Sequence, residues 1–277
     1  MNHKISFCLW FDNQAQQAAA FYTDTFQDAK VQEDSGMTVT FSIGERKFMA
    51  LNGGPMFKIN PSVSFFVFCP TEDEVEKLWA KLSDEGYVMM PLNNYPWSEK
   101  YGWCKDKFGV NWQIMLTKNG LAEVVPALMF TGDVAGKAEE AMQYYTSIFG
   151  ESEIVDISRY KEGEGDIDGR INHARFILMG QSFIAFDSSY NHGYVFNEGI
   201  SFVVFCDTQQ EIDDYWKKLT DGGHESQCGW LKDKYGLSWQ VVPSILGSLM
   251  SDPIKRPRVI EAFMKMKKFN IEALIGA

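Results

Sequence analysis

The chain has 277 residues and a formal net charge of −11, and it is 45% hydrophobic and 23% charged. This composition is typical of a globular protein with a substantial core, and the length allows two domains of ordinary size. The acidic balance and the lack of a long basic block argue against a nucleic-acid partner, and no apolar run reaches the roughly 18 residues that a membrane span needs.

The N-terminus and the cysteines indicate a cytoplasmic protein. The first residues, MNHKISFCLWFDNQ, show neither a long apolar stretch nor a small-residue cleavage site, so we expect no export signal. The chain has five cysteines, an odd number, and no CxxC pair. We therefore expect reduced thiols, with small buried cysteines in the apolar runs SFFVFC and SFVVFC.

The chain contains an internal repeat. The segment GWCKDKFGVNWQ at 102–113 returns as GWLKDKYGLSWQ at 229–240 with 8 of 12 positions identical, and we call these the repeated segments. Further pairs occur in the same order, including FYTDTF with YYTSIF and SFFVFCPTEDEVEKLW with SFVVFCDTQQEIDDYW. This indicates a duplicated domain. We predict copy one at 1–120, copy two at 121–247 and a helical tail at 248–277.

Strand and helix patterns in each copy predict the order β-α-β-β-β twice. In copy one, KISFCLWF has the aromatic and β-branched content of a strand, AQQAAAFYTDTF predicts a helix, and three short strands follow. The strand SVSFFVFC opens the second half. The next segment, TEDEVEKLWAKLSDEG, predicts a helix with Thr71 as N-cap and Glu74 completing a capping box.

Each repeated segment has the pattern of a hairpin that leads into a last strand. In copy one, Asp106 favours the start of a turn and Gly109 can take the left-handed conformation that short hairpin loops need. Alternation along the strand predicts one face with Val110, Trp112 and Ile114 and the other with Asn111, Gln113 and Met115.

The tail has the pattern of one amphipathic helix. Pro257 suits a first helical turn, and Val259, Phe263, Met266 and Asn270 fall at helical spacing. We predict that this helix docks on one copy, with a membrane-surface helix as the alternative.

These patterns together resemble the PhnB-like branch of the vicinal oxygen chelate superfamily, which includes glyoxalase I and bleomycin-resistance proteins and is often labelled 3-demethylubiquinone-9 3-methyltransferase. The resemblance rests on the motif D-x-[FY]-G-x-x-W-Q, on AAAFYTDTF and AMQYYTSIFG, on INHARFILMGQSFIAFDSS and on PRVIEAFMKMKKFNIEAL. It implies an α+β fold in which four βαβββ units form curved, cup-like sheets, plus a C-terminal helix. Members are typically a single copy that dimerises, so the alternatives here are a homodimer and an intramolecular pseudo-dimer.

The resemblance also implies where a metal would bind, because metal-binding members of the superfamily take ligands from fixed strand positions. The usual histidine position falls near Ser64 and Ser201, and the usual glutamate position falls on Gln113 and Gln240. Neutral hydroxyl and amide groups are weak ligands beside carboxylate or imidazole. We therefore expect neither a catalytic metal nor another cofactor.

Several residues are candidates for contacts inside the cups. His173 resembles a position common in the family, either as an acid or base in the cup of copy two or as a hydrogen-bonded structural histidine. Asp187 is either a polar group of the same cup or a turn former. Trp103 and Trp230 either line an aromatic pocket or fill the core. The ligand-binding residues that we predict are Gln113, Gln240, Trp103, Trp230, Asp187, Ser64 and Ser201.

The other histidines, His3, His192 and His224, show no metal-binding spacing. An insertion in copy one, NNYPWSEKYGW, is either a lid over a cup or a surface loop.

Three functions stay open. The first is binding of a small molecule in an aromatic-lined cup without metal, and the second is a glyoxalase-like enzyme of the lyase, isomerase or dioxygenase type. The third is the ubiquinone-pathway methyltransferase named by the family label. It is disfavoured because donor-binding methyltransferases usually carry a Gly-rich turn in a doubly wound sheet, which these patterns lack.

Overall fold

The computed structural model of the chain describes residues 5–117 and 122–277. His3 and the predicted boundary between residues 120 and 121 lie outside this part. No helix in the described ranges is long and apolar enough to span a membrane. The five cysteines all fall within these ranges, and none forms a disulfide. The cytoplasmic location stays a prediction.

The described elements form four βαβββ units, as the sequence predicts. Unit one consists of β1 (Ser6–Phe11), α1 (Ala15–Thr25), β2 (Ala29–Asp34), β3 (Thr38–Ile43) and β4 (Arg46–Asn52). Unit two consists of β5 (Val63–Cys69), α2 (Glu72–Ser83), β6 (Tyr87–Tyr95), β7 (Ser98–Lys105) and β8 (Asn111–Leu116). Unit three consists of β9 (Glu123–Phe130), a 3-10 turn (Gly132–Val134), α3 (Ala138–Ile148), β10 (Glu153–Arg159), β11 (Ile171–Leu178) and β12 (Gln181–Asp187). Unit four consists of β13 (Ile200–Cys206), α4 (Gln209–Leu219), β14 (His224–Glu225), β15 (Trp230–Lys232) and β16 (Ser238–Pro243).

The units pair across the two copies to form two eight-stranded sheets. Sheet A joins units four and one in the order β14-β15-β16-β13-β1-β4-β3-β2, and sheet B joins units three and two in the order β10-β11-β12-β9-β5-β8-β7-β6. The strands that join the units, β1 with β13 and β5 with β9, run antiparallel. Each sheet therefore combines one unit from copy one with one unit from copy two. The resemblance, in contrast, implied one cup for each copy.

An aromatic core lies between the two sheets. Phe7 of sheet A contacts Phe65 and Phe183 of sheet B, with ring centroids 5.5 and 6.3 Å apart. Helix α1 contributes Tyr22, whose ring lies 5.5 Å from that of Trp112. Each sheet has a second face that points away from this core. We call this face of sheet A cup A and this face of sheet B cup B. The alternation predicted for the last strand of copy one is confirmed, because Trp112 belongs to this core.

A buried carboxylate anchors each repeated segment. Asp106 accepts hydrogen bonds from the Tyr22 hydroxyl (2.9 Å), the Trp112 indole (2.8 Å) and the backbone N–H groups of Phe108 (2.8 Å) and Val110 (3.0 Å). Asp233 repeats the arrangement with Tyr145, Trp239, Tyr235 and Leu237. The shared aspartate and tryptophan of the repeated segments are therefore structural.

Helices α2 and α4 begin with the same threonine cap, but only one capping box is formed. Thr71 accepts a hydrogen bond from the backbone of Glu74 at 3.3 Å, as predicted. The Glu74 side chain returns no bond to the cap, so the capping box predicted for α2 is wrong. In α4, Thr208 and Glu211 form the complete box.

The tail is helical, but the prediction of one continuous helix is wrong. Its helices are α5 (Leu246–Ser251), α6 (Arg256–Met264) and α7 (Ile271–Ile275). Pro257 lies in the first turn of α6, as predicted. The chain leaves the helix after α6 because the carbonyls of Met266 and Lys267 accept hydrogen bonds from the backbone of Cys228 and Gly229, both at 2.7 Å. The tail thereby docks beside β15 of copy two.

Candidate functional site

Cup B is lined by an apolar cluster that is separate from the main core. Its buried members are Phe66, Tyr101, Val125, Ala127 and Ile184. The half-buried side chains packed against them are Phe68, Met90, Tyr95, Trp103, Met115 and Phe186. Strands from both copies contribute, so cup B is an aromatic-rich surface that exists only when the copies are paired.

A glutamine of each repeated segment lies in each cup and is bound to a serine. Gln113 is 2% exposed, and its side-chain N–H donates to the Ser64 hydroxyl at 2.9 Å. The Gln113 oxygen accepts a hydrogen bond from the Tyr101 hydroxyl. In cup A, Gln240 donates to Ser201 at 2.9 Å. The structure thus brings the predicted glutamines and serines together in pairs, with hydrogen bonds supplied by the protein itself.

Cup A is occupied largely by its own side chains. Burial raises the pKa of the Cys8 thiol, beside Gln240, to about 12, so this sulfur is a neutral thiol. The Trp10 indole donates to the carbonyl of Gly54 at 2.7 Å. Its ring lies 6.0 Å from that of Trp230, so the two indoles meet within this cup.

Trp103 occupies the position in cup B that Trp230 occupies in cup A. Each pairs with the glutamine of its own repeated segment on the neighbouring strand. The Trp103 indole N–H is buried and has no hydrogen-bond partner in the described part of the chain. Buried donors are nearly always paired, so this unpaired N–H is an exception.

His173 lies on β11 in cup B, where its ring is 6.4 Å from that of Phe66. Burial lowers the pKa of His173 below its ordinary value; the carboxylate of Asp156 opposes this shift, and the Arg175 cation adds to it. The imidazole is therefore neutral at neutral pH. The structure brings His173 together with Phe66 of copy one, rather than with the glutamine of copy two.

Asp187 is not brought into either cup. Its carboxylate accepts hydrogen bonds from the backbone N–H groups of Gly136 (2.8 Å), Ala138 (3.1 Å) and Ile171 (3.1 Å). It thereby joins the start of α3 to the start of β11.

The insertion in copy one forms the end of the β6–β7 hairpin. Tyr95 stacks on Trp97 at 5.0 Å, and Trp97 lies 5.9 Å from Tyr101 of the cup lining. Trp97 is 57% exposed. The hairpin tip therefore forms an aromatic rim of cup B, and the corresponding strand of copy two, β14, has only two residues.

The family model for 3-demethylubiquinone-9 3-methyltransferase matches the chain twice, over residues 3–115 and 122–242. The chain belongs to this family. The two matches correspond to the tandem copies predicted from the repeated segments. No curated protein matches the chain.

Three solved structures show how the chain compares with known proteins. The PhnB protein of Bacillus cereus, a proposed 3-demethylubiquinone-9 3-methyltransferase, is 33% identical over 41% of this chain and 99% of its own, with a TM-score of 0.39. Glyoxalase I of Zea mays is 9% identical over 87% and 93% of the two chains, with a TM-score of 0.59. A proposed dioxygenase of Bacillus subtilis is 11% identical over 96% and 91%, with a TM-score of 0.50. The last two likenesses show the vicinal oxygen chelate fold and nothing about the reaction.

The residues of this family member at the superfamily's metal positions do not fit a divalent ion. The groups there are the amides of Gln113 and Gln240 and the hydroxyls of Ser64 and Ser201. Zinc and the other divalent transition metals prefer imidazole, carboxylate or thiolate ligands. Across residues 5–117 and 122–277, no three His, Cys, Asp or Glu side chains gather in a group that could hold a metal ion.

Sequence reasoning missed Tyr101, whose hydroxyl donates a hydrogen bond to Gln113. This bond makes cup B chemically different from cup A. The signal was present, because Tyr101 stands where the second copy has Cys228, immediately before the glycine of each repeated segment. It also missed Phe66, the ring that faces His173, where the second copy has Val203.

Proposed function

We propose that this family member binds a small, flat, apolar molecule with a hydrogen-bond acceptor in cup B, without a catalytic metal. The observation that carries the proposal is the buried, unpartnered indole N–H of Trp103 within an aromatic cluster. An unpaired buried donor costs on the order of 1–3 kcal/mol, which an acceptor on a ligand would recover. The rings of Phe66 and Tyr101 supply flat surfaces for such a molecule.

Cup A supports the same role less well. Trp10 already uses its N–H on the carbonyl of Gly54, and its ring contacts Phe57 and Trp230 at 4.9 and 6.0 Å. An apolar ligand would have to displace these aromatic contacts. One cup of the pair is therefore the binding site in this proposal.

A matched pair of probes tests the role of Trp103. We expect 2-acetylnaphthalene to bind the wild type roughly fivefold more tightly than 2-ethylnaphthalene, because one neutral hydrogen bond is worth about 1 kcal/mol. The variant Trp103→Phe should bind both probes with equal affinity, since it keeps the aromatic surface and lacks the donor. Titration calorimetry measures the four affinities.

Trp230→Phe is the matched control, because it makes the same change in cup A and should keep the preference for the ketone. Equal binding of the two probes to the wild type would contradict the proposal. So would a preference that survives in Trp103→Phe, or the absence of saturable binding by either probe.

A second candidate function is a glyoxalase-like enzyme of the lyase, isomerase or dioxygenase type. The observation that favours it is the neutral imidazole of His173 in the same cup, because a general base must be unprotonated at the working pH. Any reaction would then take place on a molecule bound against Phe66 and Trp103.

The enzyme candidate predicts a particular pH dependence. Turnover of a cup B ligand should decline on the acid side with a midpoint below about 6.5, the ordinary histidine pKa, because burial lowers the pKa of His173. For the same reason the free energy of unfolding should fall as the pH drops below about 6.5, and less so in His173→Gln. Product formation followed by NMR across this range, in wild type and His173→Gln, measures the first effect. An acid midpoint at or above 6.5, or turnover that survives in His173→Gln, would exclude His173 as the base.

The methyltransfer in the family's name is not the function that this geometry supports best. Sheets A and B both mix parallel and antiparallel neighbours. Neither is the doubly wound parallel sheet whose first Gly-rich turn usually holds such a donor.

A further inference from the structure

A cleft of about 940 Å³ lies between the two sheets at one end of the molecule. Its walls come from the end of α1, the start of β4, β5, α2, β9 and the start of β12, and we call it the inter-sheet cleft. Of the apolar cluster that lines cup B, only Phe68 also lines this cleft. The apolar part of its wall includes Phe26, Ile43, Val67, Leu78 and Val124.

Three buried polar atoms in this cleft have no partner in the described residues. They are the Thr25 hydroxyl, one terminal nitrogen (Nη1) of Arg46 and one carboxylate oxygen (Oε2) of Glu74. Thr25 is 7% and Arg46 5% exposed, so both side chains are buried in the wall of the cleft. Buried polar side chains are rarely left unpaired, and here a donor, an acceptor and a hydroxyl are unpaired in one cleft.

The Arg46 guanidinium is held in a fixed orientation. Its Nε donates to the carbonyl of Val124 at 2.8 Å, and its Nη2 donates to Glu123 and to the carbonyl of Ser182, both at 3.0 Å. These bonds leave Nη1 as a preorganised donor, which is the arrangement that binding sites use to fix a polar ligand group.

The equivalent place in the second copy is filled by apolar side chains. Ile148 stands where copy one has Thr25, and Tyr215 stands where copy one has Leu78. Tyr215 stacks on Phe149 with ring centroids 5.3 Å apart. Copy one therefore has the smaller Leu78 where copy two has the ring of Tyr215. It also has the hydroxyl of Thr25 where copy two has the apolar Ile148.

The polar positions of the second copy are also satisfied. Gln181 replaces Arg46 and exchanges hydrogen bonds with the backbone of Ile5 at 2.6 and 3.2 Å. Glu211 replaces Glu74 and accepts hydrogen bonds at its own helix cap. The unpaired atoms are thus a specific departure of copy one from the duplicated pattern.

We propose that the inter-sheet cleft is a second ligand site, separate from cup B, that takes a small amphipathic amine bearing a hydroxyl group. The ammonium group pairs with Glu74, the hydroxyl accepts from Arg46, and the apolar body lies against Leu78. The charged side chains described in the lining are five carboxylates (Asp24, Asp28, Glu45, Glu74 and Glu123) and three cations (Arg46, Lys77 and Lys81). This negative excess favours a cation over a carboxylate ligand.

Phenylalaninol is the probe, because it combines an ammonium group, a hydroxyl and an apolar ring. We expect saturable binding to the full-length protein by titration calorimetry, and affinity at least about tenfold weaker in Thr25→Ile/Leu78→Tyr, which closes the cleft as the second copy does. Glu74→Gln should weaken binding by a similar factor, and it keeps the backbone group that bonds to Thr71. The comparison probes 3-phenyl-1-propanol and 3-phenylpropanoate should bind more weakly than the amine.

Folding is monitored by thermal melting, and Glu74→Gln alone decides the outcome if the double variant is unfolded. The cup variant Trp103→Phe should leave the affinity for phenylalaninol unchanged, so failure of this proposal and failure of the cup proposal are distinguishable. Unchanged phenylalaninol affinity in the cleft variants would overturn the inference. Tighter binding of the propanoate than of the amine, or no saturable binding of phenylalaninol, would also overturn it.

Discussion

Replacement of Asp106 by alanine should lower the free energy of unfolding by about 3–5 kcal/mol, because several buried donors lose one shared acceptor. The donors are the Tyr22 hydroxyl, the Trp112 indole and two backbone N–H groups of the hairpin. Asp106→Asn should cost less, since one side-chain oxygen still accepts. Asp233→Ala should behave like Asp106→Ala, because its four bonds are equivalent. Urea unfolding at neutral pH measures each value.

The pH dependence of the same variants gives a second test. Burial raises the pKa of Asp106 to about 6, above the ordinary value of about 3.8. An acid with a raised folded-state pKa contributes stability that is complete below the unfolded pKa and is lost as the pH rises through the folded pKa. The deficit of Asp106→Ala relative to wild type should therefore be larger at pH 4.5 than at pH 7.5.

The exposed Asp73 is the control. Its side chain is 72% exposed and, within the described part of the chain, forms an ion pair with Lys77 one helical turn away, so Asp73→Ala should cost less than about 1 kcal/mol. A loss for Asp106→Ala as small as that of the control would show that the four hydrogen bonds do not anchor the hairpin.

The local structure of the repeated segments could be predicted from sequence, but the role of their aspartates could not. Turn chemistry and alternation place Gly109 in the hairpin and Trp112 on the core face of its strand, and the structure confirms both. The sequence presents Asp106 only as a turn former. One of its partners, Tyr22, lies 84 residues earlier on a helix, and only the fold brings the two together.

Which βαβββ units pair in each sheet could not be predicted from the sequence, for a related reason. Strands β5 and β13 have nearly the same sequence, so hydrophobic pattern and propensity are satisfied equally whether β1 pairs within its own copy or across copies. Similar patterns also hid the asymmetry of the inter-sheet cleft. Glu74 and Glu211 both stand three residues after a threonine cap, yet only Glu211 closes the box, and the other glutamate faces the cleft.

Division of the chain between residues 117 and 122 should convert it into two pieces that are stable only as pairs. Alone, residues 5–117 keep the contact between Phe7 and Phe65 but expose β1 and β5 as bare edges. Exposed edge strands with a full set of unpaired backbone groups associate with other chains. We therefore expect two molecules of this piece to form a homodimer. In it, β1 of one molecule pairs with β5 of the other molecule, as β1 pairs with β13 in the intact chain.

Light scattering on separated fractions measures the masses, and the two pieces expressed together should give a one-to-one complex with the melting behaviour of a folded protein. Because cup B takes Trp103 from one piece and His173 from the other, the preference for 2-acetylnaphthalene should appear in that complex and in neither piece alone. A monomeric first piece with its own ketone preference would mean that each copy closes its own cup. The cross-copy pairing of β1 with β13 and β5 with β9 would then not be needed for the site.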